Sequence, residues 1–243
     1  MNYVLIIGAK SDIAKELARV YSQNGYNLYL AARESESLKS LSFDIKLRSG
    51  VDVQTKELDI TEFESHKEFY SNLDPKPIGV VIVSGYMSEQ KKCEIDWSQT
   101  LNTIQVNYTG AVSFLNIVAA DMEQKKNGFI VGVSSVAGER GRKANYIYGS
   151  SKAAFSNYLS GLRNRLHGSK VNVLTVKPGF VATKMTEGLD LPVKLTAKPE
   201  DVAKDIYKAQ QRGKDILYTK SIWILIMFII KLIPEWKFKT MNI

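Results

Sequence analysis

The chain of 243 residues is 44% hydrophobic and 24% charged, with six prolines and one cysteine. This composition excludes a disordered chain, a collagen-like repeat and a disulfide scaffold, and the length suits one domain with a full core. The net charge of +8 favours an anionic partner, but no basic block is interleaved with aromatic residues, so we expect no nucleic-acid ligand. The sequence lacks a basic leader followed by a cleavable apolar stretch, which together with the lone cysteine predicts a cytoplasmic protein.

Short apolar runs alternate with longer segments of helical period, which is typical of a parallel sheet covered on both faces. The predicted strands, in chain order, are 3–7, 27–31, 52–56, 78–83, 129–133, 171–176 and 215–219. The predicted helices are 12–24, 34–49, 62–72, 98–126, 145–167 and 199–212. The sequence therefore predicts an α/β fold, a single doubly wound Rossmann domain with a seven-stranded parallel sheet.

A long apolar run, 222–230, follows the last predicted strand, where no core is left to fill. It is well short of the roughly 20 residues that span a bilayer. From Lys214 onward five lysines accompany two carboxylates, a local charge of +3. We therefore expect one domain over 1–220 and an apolar helical tail over 221–243. The tail could contact a membrane or a lipid substrate, another subunit, or its own domain.

The turn after the first predicted strand is a candidate phosphate site. There Gly8, Lys10 and Ser11 lead directly into a helix that begins with Asp12 and Ile13. Small residues let a dinucleotide's diphosphate approach the backbone, and free N–H groups at a helix start attract it. Only Gly8 remains of a glycine fingerprint, so a plain turn capped by Ser11 is the alternative. The Asp12 carboxylate would repel a diphosphate, so we expect it to turn away, toward helix N–H groups.

The end of the second predicted strand indicates which dinucleotide fits. A carboxylate there would bind the ribose hydroxyls of NAD, but the chain has Arg33, whose guanidinium suits a 2′-phosphate. Lys10 in the preceding turn could bind the same phosphate. The two cations predict NADP(H) as the cofactor, and a solvated surface arginine is the alternative for Arg33.

Three polar residues are candidates for chemistry. Ser135 follows the fifth predicted strand, and Tyr148 lies thirteen residues further on. Tyr148 and Lys152 are four residues apart, which places both side chains on one face of a helix. Since open α/β sheets bind ligands at the carboxyl ends of their strands, a hydroxyl, a phenol and an ammonium can meet there.

These motifs, in this order and spacing, resemble the short-chain dehydrogenase/reductase family over residues 1–220. The segments that carry the resemblance are the first turn, Asn107 with the Tyr-Thr-Gly after it, Ser135, the Tyr148 and Lys152 pair, Pro178-Gly179 and Thr183. The resemblance implies an NADP-binding catalytic domain that acts as a carbonyl reductase or alcohol dehydrogenase.

The resemblance also implies a role for each catalytic residue. Tyr148 would be the general acid that protonates the substrate carbonyl oxygen, while Ser135 would steady that oxygen. Lys152 would stabilise the phenolate and bind the nicotinamide ribose, and we expect it to lower the pKa of Tyr148 from about 10 toward neutrality. Asn107 would support the helix and a water behind Lys152.

The expected cofactor contacts follow from the same resemblance. Pro178, Gly179, Val181 and Thr183 would hold the carboxamide, and Asp59 would lie near the adenine, although Asp59 also suits a helix cap. The full set of expected cofactor contacts is Gly8, Lys10, Ser11, Asp12, Ile13, Arg33, Asp59, Ile60, Ser84, Gly85, Tyr148, Lys152, Pro178, Gly179, Val181 and Thr183. We expect no metal, since His66 and His167 lie on predicted surface helices without partners at ligand spacing.

Two departures from the family pattern point to a branch of it. The first turn lacks two glycines, and Ile82-Val83-Ser84-Gly85 replaces an asparagine-containing stretch. With the apolar tail, this resembles the branch that includes the reductase of decaprenylphosphoryl-2-keto-ribose. The branch implies a lipid-linked keto-sugar or other hydrophobic ketone, with peripheral contact at the inner face of the membrane through 221–239. The alternatives are a soluble reductase of a small or acyl carbonyl compound and a non-catalytic NADPH sensor. The family also implies a homodimer or homotetramer, formed through 98–126 and 145–167.

Overall fold

The computed structural model describes residues 2–242. One sheet contains β1 (Tyr3–Ile7), β2 (Asn27–Ala32), β3 (Val53–Glu57), β4 (Gly79–Ile82), β5 (Phe129–Val133), β6 (Asn172–Pro178) and β7 (Ile216–Thr219). The strands lie in the order β3-β2-β1-β4-β5-β6-β7, and every neighbouring pair is parallel. This confirms the predicted α/β fold and its seven-stranded parallel sheet.

The α-helices of residues 2–242 are α1 (Asp12–Gln23), α2 (Lys39–Ser49), α3 (Ser65–Ser71), α4 (Gln90–Ile95), α5 (Trp97–Ile104), α6 (Gly110–Lys125), α7 (Tyr146–Leu166), α8 (Pro199–Gln211), α9 (Ile222–Leu232) and α10 (Glu235–Phe238). Two differences from the prediction concern helix continuity. The segment predicted as 34–49 begins with a 3₁₀ turn over Ser35–Leu38, and a π-helical turn over Gln105–Thr109 divides the helix predicted over 98–126. Helix α4 was missed, because Cys93 is its one buried residue and it shows no apolar period.

The strand order creates the crevice in which a site can form. Strand β1 lies between β2 and β4. The chain runs from β1 to β2, toward one edge of the sheet, and from β4 to β5, toward the other edge. The carboxyl ends of these two strands are therefore not covered by a crossover helix, which is where open α/β sheets bind ligands.

The core has two layers, one on each face of the sheet. In β1, Val4 and Ile6 pack on the face covered by α1, α2 and α8, whereas Tyr3, Leu5 and Ile7 pack on the face covered by α3, α6 and α7. Burial on both faces explains why the central strands β1, β2, β4 and β5 are apolar along nearly all of their length instead of alternating, while the edge strands β3 and β7 are partly exposed.

His66 corrects one prediction, because it is fully buried and does not lie on the surface. Its Nδ1 atom is 3.0 Å from Ser113 Oγ, and its ring packs edge-on against Phe114 with centroids 5.5 Å apart. Burial lowers the pKa of His66. The histidine is therefore a neutral part of the α3–α6 contact. His167 is exposed, as predicted.

The apolar tail has two faces with different surroundings. Trp223 and Met227 of α9 are buried against Val136 in a small third cluster, so part of the tail packs on its own domain. The opposite face exposes large apolar side chains, namely Ile222, Ile224, Leu225, Phe228, Ile229, Leu232 and Trp236. Of the helices in residues 2–242, none combines the length and apolar content needed to cross a membrane.

Candidate active site

Two adjoining cavities open at the carboxyl ends of the strands, and they share Lys10, Ser11, Val83 and Gly85 as wall residues. The larger cavity has a volume of about 300 Å³ and the smaller one about 200 Å³. The predicted residues that line the larger cavity are Lys10, Ser11, Asp12, Ile13, Gly85, Ser135, Tyr148, Lys152, Pro178, Gly179, Val181 and Thr183. Those that line the smaller cavity are Gly8, Lys10, Ser11, Arg33, Asp59, Ile60, Ser84 and Gly85. The structure thus brings every predicted site residue except Asn107 to one of two connected cavities.

The turn after β1 depends on Gly8. Its φ of +82° lies in the left-handed region, and a Cβ there would be 2.5 Å from the backbone nitrogen of Ser84. The N–H groups of Gly8 and Ala9 both donate to the carbonyl of Ala31. Ser11 caps α1 by accepting a hydrogen bond from the N–H of Ala14 at 3.2 Å. This tight turn holds the start of α1 against the crevice.

Asp12 does turn away from the expected phosphate position, but toward a different element than expected. Its Oδ2 atom accepts a hydrogen bond from the N–H of Lys184 at 2.9 Å, and its Oδ1 atom is 3.5 Å from Lys15 Nζ. Lys184 begins a 3₁₀ turn in the segment after β6, and does not belong to α1. The carboxylate therefore ties the segment that covers the larger cavity to the start of α1.

Both predicted phosphate-binding cations lie at the smaller cavity, and each has a carboxylate partner. Lys10 Nζ is 2.6 Å from Glu34 Oε2, and Arg33 Nη1 is 3.8 Å from Asp59 Oδ2. Asp59 also accepts hydrogen bonds from the N–H and hydroxyl of Thr61, which close a local turn. The alternative prediction that Asp59 caps the next helix is wrong, because α3 begins at Ser65 with Glu64 in the N-cap position. The Arg33 pair is long and exposed, so its guanidinium can exchange this partner for a ligand.

Helix α7 is seated on the turn that follows β5. A Cβ at Gly138 would be 2.7 Å from the backbone nitrogen of Ala153, and one at Gly149 would be 2.8 Å from the carbonyl oxygen of Ala137. Ser135 fixes the same turn, because its Oγ accepts a hydrogen bond from the N–H of Ala137 at 3.1 Å. These contacts set the position of Ser135 relative to the first turns of α7.

Tyr148 and Lys152 project from α7 into the larger cavity, as their spacing predicted. Lys152 is 3% exposed, and its Nζ donates to the carbonyl of Val133 at 3.1 Å. Its Nζ lies 5.9 Å from the centroid of the Tyr148 ring. A phenol, an ammonium and the hydroxyl of Ser135 therefore share one cavity.

Burial controls the protonation of this pair. It lowers the pKa of Lys152 from 10.5 to about 8, because the buried ammonium loses its hydration. It raises the pKa of Tyr148 to about 12, and a hydrogen bond with Ser135 offsets only part of this rise. The expected fall of the Tyr148 pKa is therefore wrong for the ligand-free protein. In this state the phenol keeps its proton at neutral pH.

Asn107 lies behind the cavities and supports them. It sits in the π-helical turn, where its Oδ1 accepts from the N–H of Tyr86 at 2.8 Å. Its Nδ2 donates to the carbonyl of Tyr86 and to Ser151 Oγ, at 2.8 and 3.0 Å. Asn107 thus joins the segment after β4 to α7, at Ser151, one residue before Lys152.

Comparison with known proteins identifies the fold and these motifs. The sequence pattern of the short chain dehydrogenase family matches residues 2–193. The chain therefore belongs to the short-chain dehydrogenase family. A relative in Mycobacterium tuberculosis, named an uncharacterized oxidoreductase, is 35% identical over 243 residues that cover 98% of this chain and 96% of the relative. An uncharacterized oxidoreductase of Myxococcus xanthus is 31% identical and covers 88% of this chain and 86% of its own.

Solved structures of similar fold include complexes with a nicotinamide nucleotide. A short-chain dehydrogenase from Sphingobium yanoikuyae in complex with NADPH has a TM-score of 0.84 and 21% identity, and covers 97% of both chains. One from Burkholderia cenocepacia in complex with NADP has a TM-score of 0.82 and 21% identity, and covers 95% of this chain and 93% of its own. This short-chain dehydrogenase is accordingly a nicotinamide-dependent oxidoreductase by family.

Several residues of this dehydrogenase that line the larger cavity were not predicted. Met87, Phe180, Met185 and Leu189 give it apolar walls, and Arg142 and Asn145 add polar groups. Arg142 stands in a Gly-Arg-Lys segment that reads as exposed loop, so the sequence carries no signal that would have placed it in the cavity.

We expect Lys152 to titrate near pH 8 in the ligand-free enzyme, since burial disfavours its charged form. Its amine should be an ammonium below that pH and neutral above it. NMR of the protein labelled with ¹³C at the lysine Cε should resolve this signal, assigned by its absence in Lys152→Met. A midpoint near 10.5, the ordinary value for lysine, would show that the amine is not desolvated.

Proposed function

We propose that this enzyme reduces a ketone to an alcohol with NADPH, with Tyr148 as general acid. The observation that carries the proposal is the shared cavity of Tyr148, Lys152 and Ser135, which adjoins a second cavity with cationic walls. A sensor that only bound the nucleotide would not need a buried lysine beside a phenol. The catalytic arrangement therefore favours an enzyme over the non-catalytic alternative.

The residues present fit a dinucleotide across the two cavities. The hydroxyl oxygen of Ser84, at the wall of the smaller cavity, is buried and lacks a hydrogen-bond partner within residues 2–242. The tight turn at Gly8 exposes the start of α1, whose N–H groups attract a diphosphate. Pro178, Gly179 and Thr183 lie beside Tyr148 in the larger cavity, where they would hold the nicotinamide end.

When bound, the reduced nicotinamide supplies a hydride to the carbonyl carbon. The Tyr148 phenol, kept protonated by its raised pKa, would donate its proton to the carbonyl oxygen as negative charge develops there. The Ser135 hydroxyl would donate a hydrogen bond to the same oxygen. The Lys152 ammonium would stabilise the phenolate that remains, and the phenolate would in turn raise the pKa of Lys152 above its value of about 8 in the ligand-free protein.

The preference for NADP over NAD is part of the proposal. Arg33 and Lys10 line the smaller cavity, and their carboxylate partners are partly or largely exposed, so a 2′-phosphate could replace or join them. Charge-assisted bonds from a guanidinium fork favour a phosphate over a neutral ribose hydroxyl. The complexes of similar fold with NADPH and NADP are consistent with this preference.

We further propose that the substrate is a lipid-linked keto-sugar or another hydrophobic ketone. The apolar walls of the larger cavity suit a lipophilic group, and the outward face of α9 and α10 suits an anionic membrane surface, with Lys237 and Lys239 beside Trp236. A soluble reductase of a small or acyl carbonyl compound is the alternative.

The proposed assembly is a homodimer or homotetramer, and a mass of one chain by light scattering would contradict it.

Tyr148→Phe should lower the turnover of ketone reduction by about 10²- to 10⁴-fold, because the proton donor is lost. The affinity for NADPH, measured by fluorescence titration, should stay close to that of the parent enzyme. Tyr146→Phe is the matched control, because Tyr146 is an exposed tyrosine on the same helix whose hydroxyl donates to Glu94. Full activity in Tyr148→Phe would place the proton donor elsewhere.

Arg33→Ala should reduce the preference for NADPH over NADH by about tenfold or more, the value of a charged hydrogen bond. The measurement is the ratio of the two dissociation constants. Arg48→Ala removes a similar exposed ion pair, with Asp44 on α2, and should leave the ratio unchanged. Equal affinities of the parent enzyme for both nucleotides would refute the NADP assignment.

The triple variant Leu225→Gln, Phe228→Gln and Leu232→Gln should abolish sedimentation with vesicles that contain anionic lipids. It removes exposed apolar contacts of α9 and leaves the buried Trp223 and Met227 in place, which deletion of the tail would not. Phe43→Gln with Leu47→Gln alters equally exposed side chains of α2 and serves as the control. A parent enzyme that never sediments would contradict the membrane proposal.

A further inference from the structure

Arg142 is a cation in the larger cavity without a carboxylate within 4.0 Å in the part of the chain that is described. Its Nε is buried and has no hydrogen-bond partner within residues 2–242. Its Nη2 donates to Met227 Sδ at 3.3 Å, and a thioether is a weak acceptor. Burial also lowers the pKa of Arg142. The side chain is therefore partly buried, with a guanidinium Nε that neither water nor an acceptor within residues 2–242 satisfies.

The carboxylates near Arg142 are held by other cations. The Glu139 side chain is 5% exposed and is bound by Lys177, Lys231 and the hydroxyl of Tyr218. Glu235 pairs with Arg140, which also donates to carbonyl groups at the end of α9. Both carboxylates are therefore already paired with cations other than Arg142.

The wall of the larger cavity carries a clear excess of positive charge. Its charged residues are Lys10, Asp12, Arg142, Lys152 and Lys184. The one carboxylate among them, Asp12, accepts the hydrogen bond from the backbone of Lys184 and lies near Lys15. Arg33, by contrast, lines only the smaller cavity. The two arginines therefore face different cavities and would contact different bound groups.

A second group without a partner lies three residues further on. Asn145 precedes α7, and its buried Oδ1 has no hydrogen-bond partner within residues 2–242. Arg142, Asn145 and Tyr148 all line the larger cavity. A ligand that gave an anion to Arg142 and a hydroxyl to Asn145 would satisfy both groups while its carbonyl lay at Tyr148.

We propose that Arg142 binds an anionic group, a phosphate or a carboxylate, which the substrate carries close to its reacting carbonyl. Asn145 accepts a hydrogen bond from a hydroxyl of the same molecule, and Met227 of α9 positions the guanidinium. The inference rests on the proposed reduction at Tyr148 and narrows its substrate class to anionic hydroxyketones. A phosphate could belong to a free sugar phosphate or to the diester of a lipid carrier.

The direct test is calorimetric titration of phenyl phosphate, benzoate and benzyl alcohol into the protein saturated with NADPH, so that the cofactor occupies its own phosphate site. At least one anion should bind the parent enzyme, and benzyl alcohol should bind much more weakly. Arg142→Met should weaken anion binding by about 10- to 100-fold, as expected for a charged hydrogen bond. Lys143→Met removes the same charge from the adjacent exposed position and should bind like the parent.

Kinetics with matched substrates identify the source of the anion. Arg142→Met should raise KM for a ketopentose phosphate or a prenylphosphoryl ketopentose, with little change in kcat, and leave KM for the neutral ketopentose unchanged. A lower KM of the parent enzyme for the ketopentose phosphate would show that the phosphate belongs to a free sugar phosphate. A lower KM for the prenylphosphoryl ketopentose would show that it belongs to a lipid carrier. Arg142→Lys should bind the anionic substrate more tightly than Arg142→Met but less tightly than the parent, since lysine keeps the positive charge and lacks the planar pair of N–H donors of a guanidinium.

Thermal unfolding separates a ligand-binding role from a structural one. Loss of an uncompensated buried cation should leave the Tm of Arg142→Met unchanged or higher, whereas a structural arginine would give a lower Tm. Anion binding that is equal in Arg142→Met and the parent would overturn the inference. Loss of anion binding in Arg142→Met, with no ketone reduced by the parent, would instead refute the proposed reduction and leave the anion site standing.

Discussion

The close contact between α7 and the turn after β5 fixes the whole candidate active site. Gly138 and Gly149 let the two backbones approach within a distance that no side chain would allow. This approach carries Lys152 under the end of β5, where its ammonium reaches the carbonyl of Val133. The same contact sets Ser135 beside Tyr148. A small displacement of α7 would therefore move the phenol and the ammonium together, away from the Ser135 hydroxyl and the carbonyl of Val133.

Burial at this contact shifts the pKa values of Tyr148 and Lys152 in opposite directions, toward their neutral forms. The Tyr148 phenol has its pKa raised to about 12, while the Lys152 amine has its pKa lowered to about 8. Each neutral form is favoured for the same reason, since both groups have lost water. A carbonyl oxygen that gains negative charge beside them would favour the ammonium and draw the phenolic proton. In the free protein the phenol is thus protonated at neutral pH.

The sequence predicted the central strands β1, β2, β4 and β5 well because they are buried on both faces, which leaves a continuous apolar run as their signal, whereas the edge strands β3 and β7 are partly exposed. It predicted the Tyr148 and Lys152 pair because helical spacing alone puts both on one face. Features that depend on distant partners were not predictable. His66 is buried because Phe114 and Ser113 of another helix cover it, and Glu34 reaches Lys10 only after two strand ends meet.

The tail shows how a segment without a sequence motif can enter a site. Trp223 and Met227 cover Val136, which follows Ser135, and Met227 accepts the hydrogen bond from Arg142. Arg140 binds the carbonyl end of α9 and stacks on Phe238, with its guanidinium 3.8 Å from the ring centroid. One short loop, 135–142, therefore connects Ser135, the guanidinium of Arg142 and the apolar helix. The inner face of α9 thus holds Arg142 and the residue after Ser135, which explains why the helix stays packed on the domain although its outer face is apolar and exposed.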